Sequence, residues 1–501
     1  MEHSRRLKIV RQMKPPIACW LPWTLLLSVT CGCLGWQPAS GEEPLLVGAA
    51  QIDITPPIGY RAAGGYSEVI STNVHDPLFC KALVLGQGDL RAVIVMTDLL
   101  SVPFPLSGQI RSEIAHSTGI PQSNIIIAAT HNHGSPEYYG VLRDLNHAAA
   151  LAELGSDLHE SVDYPARLQA ACLAAVAAAA LNAQQVDLEL LSAMQPDLAF
   201  NRRFHMRDGS VQFNPGVGNP EILRPAGPVD EALPVLLFRD ATHGRPIAAL
   251  TTFAMHTAVA GGHEFSADFP SVLQRQLRDH FEHKDGHELD RFVSIFAEGT
   301  AGDINHIDVN NPRQLTGPAE SQRIGKTLAD TIVLALDSAV KLAEPSLAVA
   351  SHTAYAPFPA VSPARYEHAL QLLRHQNTDR QPFLTLVAAW RDCLRHEHAE
   401  RYPNLSKPLE VQAIRLDANT AIVTLPHEVF VETGLAIKAA SPFRHTIVIS
   451  LANDVDYYLP TRRAFEEGSY EIETCPLNPG CAEILLDAAR KVLAQVKGAN
   501  K

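Results

Sequence analysis

An α/β fold, with a large mixed β-sheet flanked by helices and a metal site at the C-terminal ends of strands, is predicted by three features of this 501-residue chain. Apolar runs of strand length alternate with longer helical stretches, the pattern of a layered α/β protein. Short polar turns join some of the strands directly and imply antiparallel hairpins within the sheet. No repeat, Gly/Ser linker or composition break interrupts residues 45–497, so one domain with excursions fits better than two. With 46% apolar and 19% charged residues the chain has an ordinary globular composition.

In chain order the strand candidates are Pro44–Ala50, Ala82–Leu85, Ala92–Met96, Asn124–Ala129, Val186–Leu191, Val235–Phe238, Ile247–Phe253, Phe292–Phe296, Val411–Leu416, Ala421–Leu425 and His445–Ser450. The hairpin turns are Gln87–Asp89 and Asp240–Pro246. The clearest helices are Tyr164–Leu181, Val272–Phe281, Glu320–Ala339 and Arg365–Arg374.

Residues 1–40 read as a leader. Arg5, Arg6, Lys8, Arg11 and Lys14 precede the apolar run Ile17–Trp36, and the small residues of Pro38-Ala39-Ser40-Gly41 follow. That is the layout of a secretory signal, and it predicts a periplasmic, cell-envelope or secreted protein. Retention as an anchor is the alternative, because some twenty apolar residues span a bilayer. Setting residues 1–40 aside removes five bases and one acid and takes the formal charge from -13 to -17. So acidic a body offers no basic stripe for phosphates, which argues against nucleic acid. The body keeps Cys80, Cys172, Cys393, Cys475 and Cys481. An odd number is no disulfide framework, and only Cys475 and Cys481, around a turn-rich segment, are close enough in sequence to suggest a bridge.

Histidine is abundant, 22 in all, and imidazole serves both as metal ligand and as neutral-pH acid or base. Three strand ends concentrate the chemistry. Asn124–Ala129 runs into THNHGSPE, where His131 and His133, two residues apart in extended chain, point the same way. Ile247–Phe253 ends in His256, and Ala421–Leu425 ends in LPHE with Glu428. Such a donor set suits zinc. Taken singly, an HxH can be a solvated loop, His256 a core histidine and Glu428 a surface acid. Asp98, Asp268 and Asp303 also follow strands. Each reads either as a cap or turn residue, Asp268 fitting an N-cap, or as a partner orienting a ligand imidazole. Most other histidines, His396 and His398 among them, read as surface side chains.

Several enzyme classes lose their signature. None of the His-Glu pairs, those at His263, His287, His396 and His427 among them, is followed by the second histidine of a zincin helix. GxSxG and GxGxxG motifs are absent, and the triplet Gly325-Lys326-Thr327 lacks the glycine five residues earlier that a phosphate loop needs, where Glu320 stands.

Taken in order, VGAAQIDITPPIG, the GGY ending at Tyr66, His75–Leu85, Val93–Leu99 and THNHGSPE resemble the neutral/alkaline non-lysosomal ceramidases, zinc amidases of N-acylsphingosine. The likeness runs from residue 46 to about residue 490. It implies Zn²⁺ held by His131, His256, Glu428 and Tyr458. It places His133 at the scissile amide, Arg202 of FNRR on the substrate and Tyr470 in catalysis. Tyr458 and Tyr470 keep the family's twelve-residue spacing. Where the family reads GDVSPN, with the serine as proposed nucleophile, this chain has GDINH and Asn305. A carboxamide cannot form an acyl-enzyme, so the nucleophile implied is water activated by zinc. The immunoglobulin-like C-terminal domain typical of the family is not expected here.

The function expected is therefore an exported zinc-dependent hydrolase of an amide or ester, acting on a small-molecule or lipid N-acyl amide. A lipid substrate also brings peripheral membrane contact. The competing expectations are a non-catalytic, metal-pocket binding protein of the cell envelope, which Asn305 favours, and a membrane-anchored structural protein, which needs the leader retained.

Overall fold

The computed structural model describes residues 43–286, 289, 291–375 and 381–499. The leader and its three cysteines lie outside them. Eight strands, β1 (Leu46–Asp53), β2 (Phe79–Gln87), β3 (Leu90–Thr97), β4 (Ile125–Ala129), β5 (Gln184–Met194), β6 (Ala232–Asp240), β7 (Pro246–Phe253) and β8 (Val293–Glu298), share one sheet in the order β8-β7-β6-β5-β1-β2-β3-β4, with the short strand Val340–Lys341 on β5. The outermost pairs, β7–β8 and β3–β4, are parallel. Both predicted hairpins, β2–β3 and β6–β7, form as antiparallel pairs.

The expected large mixed sheet is present, and a second sheet that the sequence did not announce accompanies it. β9 (Ala348–Pro357), β10 (Ser406–Arg415), β11 (Thr420–Thr424) and β12 (His445–Ile449) form a separate four-stranded sheet, with β11 and β12 parallel. Period-2 alternation explains how the sheets stack. Leu83, Leu85, Ile94 and Met96 of the first sheet share a core with Ile414, Ile422, Ile447 and Ile449 of the second. The alternate residues Ala82, Val84, Val93 and Val95 face away from it and pack under helices.

Nine longer helices complete the described chain: α1 (Phe104–Thr118), α2 (Val141–Leu154), α3 (Tyr164–Leu181), α4 (Asp268–Asp285), α5 (Gly317–Ala335), α6 (Pro363–Arg374), α7 (Phe383–Arg401), α8 (Val431–Ala440) and α9 (Cys481–Gly498). α1 and α3 cover one part of the first sheet's outer face and α4 and α5 the other. α9 covers the second sheet. The layers are therefore helix, sheet, sheet, helix. The helix expected over Glu320–Ala339 stops at Ala335 and tightens into a 3-10 turn over Leu336–Ser338.

The cysteine bridge is also corrected. All five described cysteines are free. Cys475 and Cys481 both turn into the apolar core beneath α9, where they meet as hydrogen-bonded thiols.

One glycine sets how closely α3 approaches the sheet. A Cβ on Gly48 of β1 would lie 1.9 Å from the Ala179 carbonyl oxygen and 2.7 Å from the Ala183 nitrogen, both backbone atoms that cannot swing aside. Gly48→Val is expected to destabilise the protein by about 3 kcal/mol through overpacking. Guanidinium unfolding checks this, and a midpoint equal to wild type would refute the tight contact.

The sheets are stitched together at the site. Segment 450–453, just past β12, donates main-chain hydrogen bonds to both edge strands of the first sheet, Asn453 N to Ile127 O at 2.6 Å on β4 and Ser450 N to Glu298 O at 3.0 Å on β8, and Leu451 O accepts from Ala129 N at 3.3 Å. Leu451 and Asn453 take left-handed backbone angles to make this turn, φ 60° and 65°.

Candidate metal centre

The predicted donors leave three strand ends and converge. His131 follows β4, His256 follows β7 and Glu428 follows β11. Short pairings hold them in register. His133 N donates to Thr257 O at 3.0 Å, tying the two histidine loops together. Glu428–Val429 pairs with Tyr458–Leu459, and Ile304–Asn305 with Phe200–Asn201. His131 (φ 59°) and His427 (φ 61°), which precedes Glu428, both adopt left-handed conformations, a local cost of about 1–3 kcal/mol each that clusters at functional sites.

Glu428 Oε2 lies 3.1 Å from His131 Nε2 and 3.2 Å from His256 Nε2. Donors about 2.0–2.2 Å from a tetrahedral ion stand roughly 3.3 Å apart, so these separations match the edges of such a polyhedron. Each imidazole is oriented through its other nitrogen: Nδ1 of His131, His256 and His133 meets the carbonyl oxygens of Leu100 (3.1 Å), Ala301 (2.9 Å) and Gly64 (3.1 Å). In the neutral rings that leaves the lone pair on Nε2, the usual preparation of a histidine ligand; on His256 it accepts from Arg202 Nη1 at 3.0 Å, and on His131 Nε2 faces Glu428. Nε2 of His131 and His133 and Oε2 of Glu428 are buried without a hydrogen-bond partner, a condition that a cation relieves. The residues therefore fit a divalent metal. The ligand atoms of His131, His133 and His256 lie within 4.8 Å of one another. His133, expected at the scissile amide, thus also stands at metal-ligand distance.

Electrostatics separate the imidazoles. Burial disfavours charge on His131, but Glu428 and Glu298 outweigh it and raise the pKa to about 9. Burial and the neighbouring His131 push His133 down to about 3. Burial, with Arg202 next to it, holds His256 well below its usual value. Glu428 titrates well below the ordinary carboxylate range, the two histidines overcoming its burial.

Arg202 is fully enclosed. Its Nε donates to Glu471 Oε1 at 2.9 Å, Nη2 to Gly302 O at 2.9 Å and Nη1 to His256 Nε2 at 3.0 Å. The guanidinium lies 5.1 Å from the Tyr458 ring centre and 6.0 Å from that of Tyr470. Tyr458 stacks on His256, with ring centres 6.3 Å apart and planes 8° from parallel. Asn305 joins Arg202, His133, Tyr458 and Tyr470 in the wall of a cavity of about 520 Å³. Its carboxamide donates to Asn214 Oδ1 at 3.1 Å and accepts from Ile307 N at 3.0 Å. All the predicted site residues are thus gathered in one place.

Each flagged acid has a defined partner. Asp268 is the first residue of α4, the cap position falling on Ala267, so the N-cap reading fails. Its carboxylate instead accepts from Val259 N at 2.7 Å and Ala260 N at 3.0 Å, holding the loop that follows His256. Asp303 accepts from Asn201 Nδ2 at 2.7 Å and Val431 N at 2.9 Å. Asp98 accepts from Phe79 N at 3.0 Å. His398, expected on the surface, is buried between Phe358 and Tyr457.

Three contributors escaped the sequence reading. Tyr66 Oη meets Tyr470 Oη at 3.2 Å; its GGY motif was visible without a role. Glu471 anchors both Arg202 and Arg203. Glu298, fully buried at the end of β8, lies 3.9 Å from His256 Nδ1 and is pushed up to about 8 by burial. An acid closing an apolar core strand is the signal that marks it.

Comparison with known proteins identifies the fold and the family. Two solved structures share the fold: a neutral ceramidase from Pseudomonas aeruginosa (TM-score 0.65, 18% identity, covering 92% of this chain and 76% of that one) and a ceramidase complexed with C2 (TM-score 0.63, 18% identity, 92% and 77%). No curated protein sequence matches the chain. Residues 45–312, more than half of the chain, match the family described as neutral/alkaline non-lysosomal ceramidase, N-terminal, and the chain belongs to that family.

Proposed function

We propose that this chain is an exported, zinc-dependent amidohydrolase that cleaves an N-acyl amide, or the corresponding ester, of ceramide-like type, with activated water as nucleophile. The observation that carries this reading is the convergence of His131 Nε2 and His256 Nε2 on Glu428 Oε2 at 3.1 and 3.2 Å. With Tyr458 stacked on His256, these four residues would hold the ion. Bound there, zinc supplies Lewis-acid polarisation of the carbonyl and lowers the pKa of water.

The remaining steps belong to the chain's own side chains. Arg202 and Tyr470 donate to the oxygen on which negative charge develops, each worth roughly a hundredfold or more in rate. Tyr66, bonded to Tyr470, keeps that hydroxyl aimed. His133 is neutral at physiological pH; its Nε2 accepts a hydrogen bond from the attacking water and orients it, and proton delivery to the leaving nitrogen falls to Tyr470. Asn305 lacks a group that can be acylated, which leaves water as the nucleophile. The basic and apolar leader supports export. Asn305 also favours the alternative of a binding protein without turnover.

Zinc analysis and an N-acyl amide and ester panel on purified, metal-replete protein decide the matter. About one equivalent of zinc together with hydrolysis supports the proposal. Less than about half an equivalent, or no cleavage across the panel, overturns it. Proton release gives an independent check. Because Glu428 and Glu298 hold a proton on His131 up to about pH 9, the ion must displace it. Apparent affinity is expected to rise about tenfold per pH unit below that value and to level off above it. Calorimetry in buffers of different ionisation enthalpy reads the proton directly, and affinity independent of pH would contradict the arrangement.

A further inference from the structure

The metal-ligand cluster stands between two cavities that share a wall made of Tyr66, His133, Tyr458 and Tyr470. Their ionisable groups differ. The first carries Arg202 and, among the described residues lining it, no carboxyl group. The second, about 430 Å³, sets Glu137, Glu397, Asp456 and Glu428 against the single guanidinium of Arg401. Between those carboxyls its walls are apolar, with Leu100, Val141, Leu142, Trp390 and Leu394.

A second observation marks this cavity as a ligand site. Tyr457 Oη and His398 Nδ1, on side chains of residues only 1% and 3% exposed that line the same cavity, have no hydrogen-bond partner. Buried polar atoms in folded proteins are nearly always satisfied, so such orphans mark where a bound group completes them.

Hydrolysis of an amide R–CO–NH–R′ by one water gives R–COO⁻ and R′–NH₃⁺. The scissile bond is neutral before cleavage, and opposite charges appear on its two halves afterwards. Two cavities that meet at the reacting centre, one carrying a guanidinium and the other carboxyl groups, match those halves. Resting on the hydrolase reading, we infer that the second cavity is the amine subsite, receiving the leaving group as an ammonium beside Glu137, Asp456 and Glu397 with its apolar stem against Trp390 and Leu394. The acid half stays on the Arg202 side.

Equilibrium binding to the metal-replete protein, which needs no turnover, tests this with hexylammonium, hexan-1-ol and hexanoate as probes. Hexylammonium is expected to bind about tenfold tighter than hexan-1-ol, the scale of a hydrogen bond to a charged group, and hexanoate not to displace it. Glu137→Gln and Glu397→Gln should each cut that preference about threefold or more while leaving hexan-1-ol affinity unchanged. Glu397, though it lines the cavity, is an exposed residue of α7, so its variant keeps the test independent of folding. Equal binding of ammonium and alcohol, or a preference that survives in both variants, overturns the amine subsite even if amides are hydrolysed. A Glu137- and Glu397-dependent preference without hydrolysis of any substrate upholds the cation site and overturns the hydrolase reading alone.

Discussion

Glu428→Gln is expected to weaken metal binding by about a hundredfold or more and to lower hydrolysis by about a thousandfold. The substitution preserves shape, and the main-chain bond from Glu428 N to Tyr457 O at 3.0 Å stays in place. What changes is charge. A neutral carboxamide no longer offsets a dication between His131 and His256, and its amide hydrogens face two imidazole lone pairs that should carry the ion. The same change removes the largest favourable influence on protonated His131, so that imidazole should lose its proton at lower pH. Metal analysis after dialysis, paired with an NMR titration of the histidines, reads both effects. A variant that still holds a full complement of metal would show that Glu428 is not a ligand.

Lys407→Met is expected to cost about 3–5 kcal/mol, the largest stability loss anticipated for a single polar side chain here. Lys407 is completely buried, and its Nζ lies 2.7 Å from Asp454 Oδ2. Removing the ammonium strands a carboxylate in the interior. Asp454 O also accepts from His427 N at 2.8 Å, which ties the pair to the strained residue preceding Glu428. The double variant Lys407→Met with Asp454→Asn should recover most of the loss, since no charge is then left unpaired. Chemical denaturation of the two variants side by side checks this. If the double variant is no more stable than the single one, the cost lies in packing and not in charge.

The sequence made the strands of the first sheet legible because each is a dense apolar run, and Ile125–Ala129 and Pro246–Phe253 emerge almost where the composition puts them. It was silent on how strands are shared between sheets. Both faces of β10 and β11 are buried, so nothing local distinguishes a strand of one large sheet from one of two stacked sheets. β9 was missed because much of it is half-exposed or exposed and weakly apolar. At the site, donors adjacent to a strand end could be found from local sequence: His131, His133, His256 and Glu428. Tyr66 could not, because its partner Tyr470 lies 404 residues away. Asp268 shows the opposite error. A local rule suggested a helix cap, whereas a long-range need, gripping the loop after His256, claimed the carboxylate.

The stitch at residues 450–453 has a consequence for how this protein comes apart. Both edge strands of the larger sheet are bonded to one short turn; of the candidate metal donors, His131 leaves one of those edge strands, His256 leaves the strand beside the other, and Glu428 leaves the second sheet. Opening the site and opening the sandwich are then one event, not two. A ligand that bridges those donors acts as a rivet through both sheets. Its binding free energy should appear undiminished in global unfolding, as RT ln(1 + [L]/Kd). The slowest-exchanging amides should include those of Asn453 and Ser450, in a turn that secondary structure alone would rank among the loosest parts of the chain.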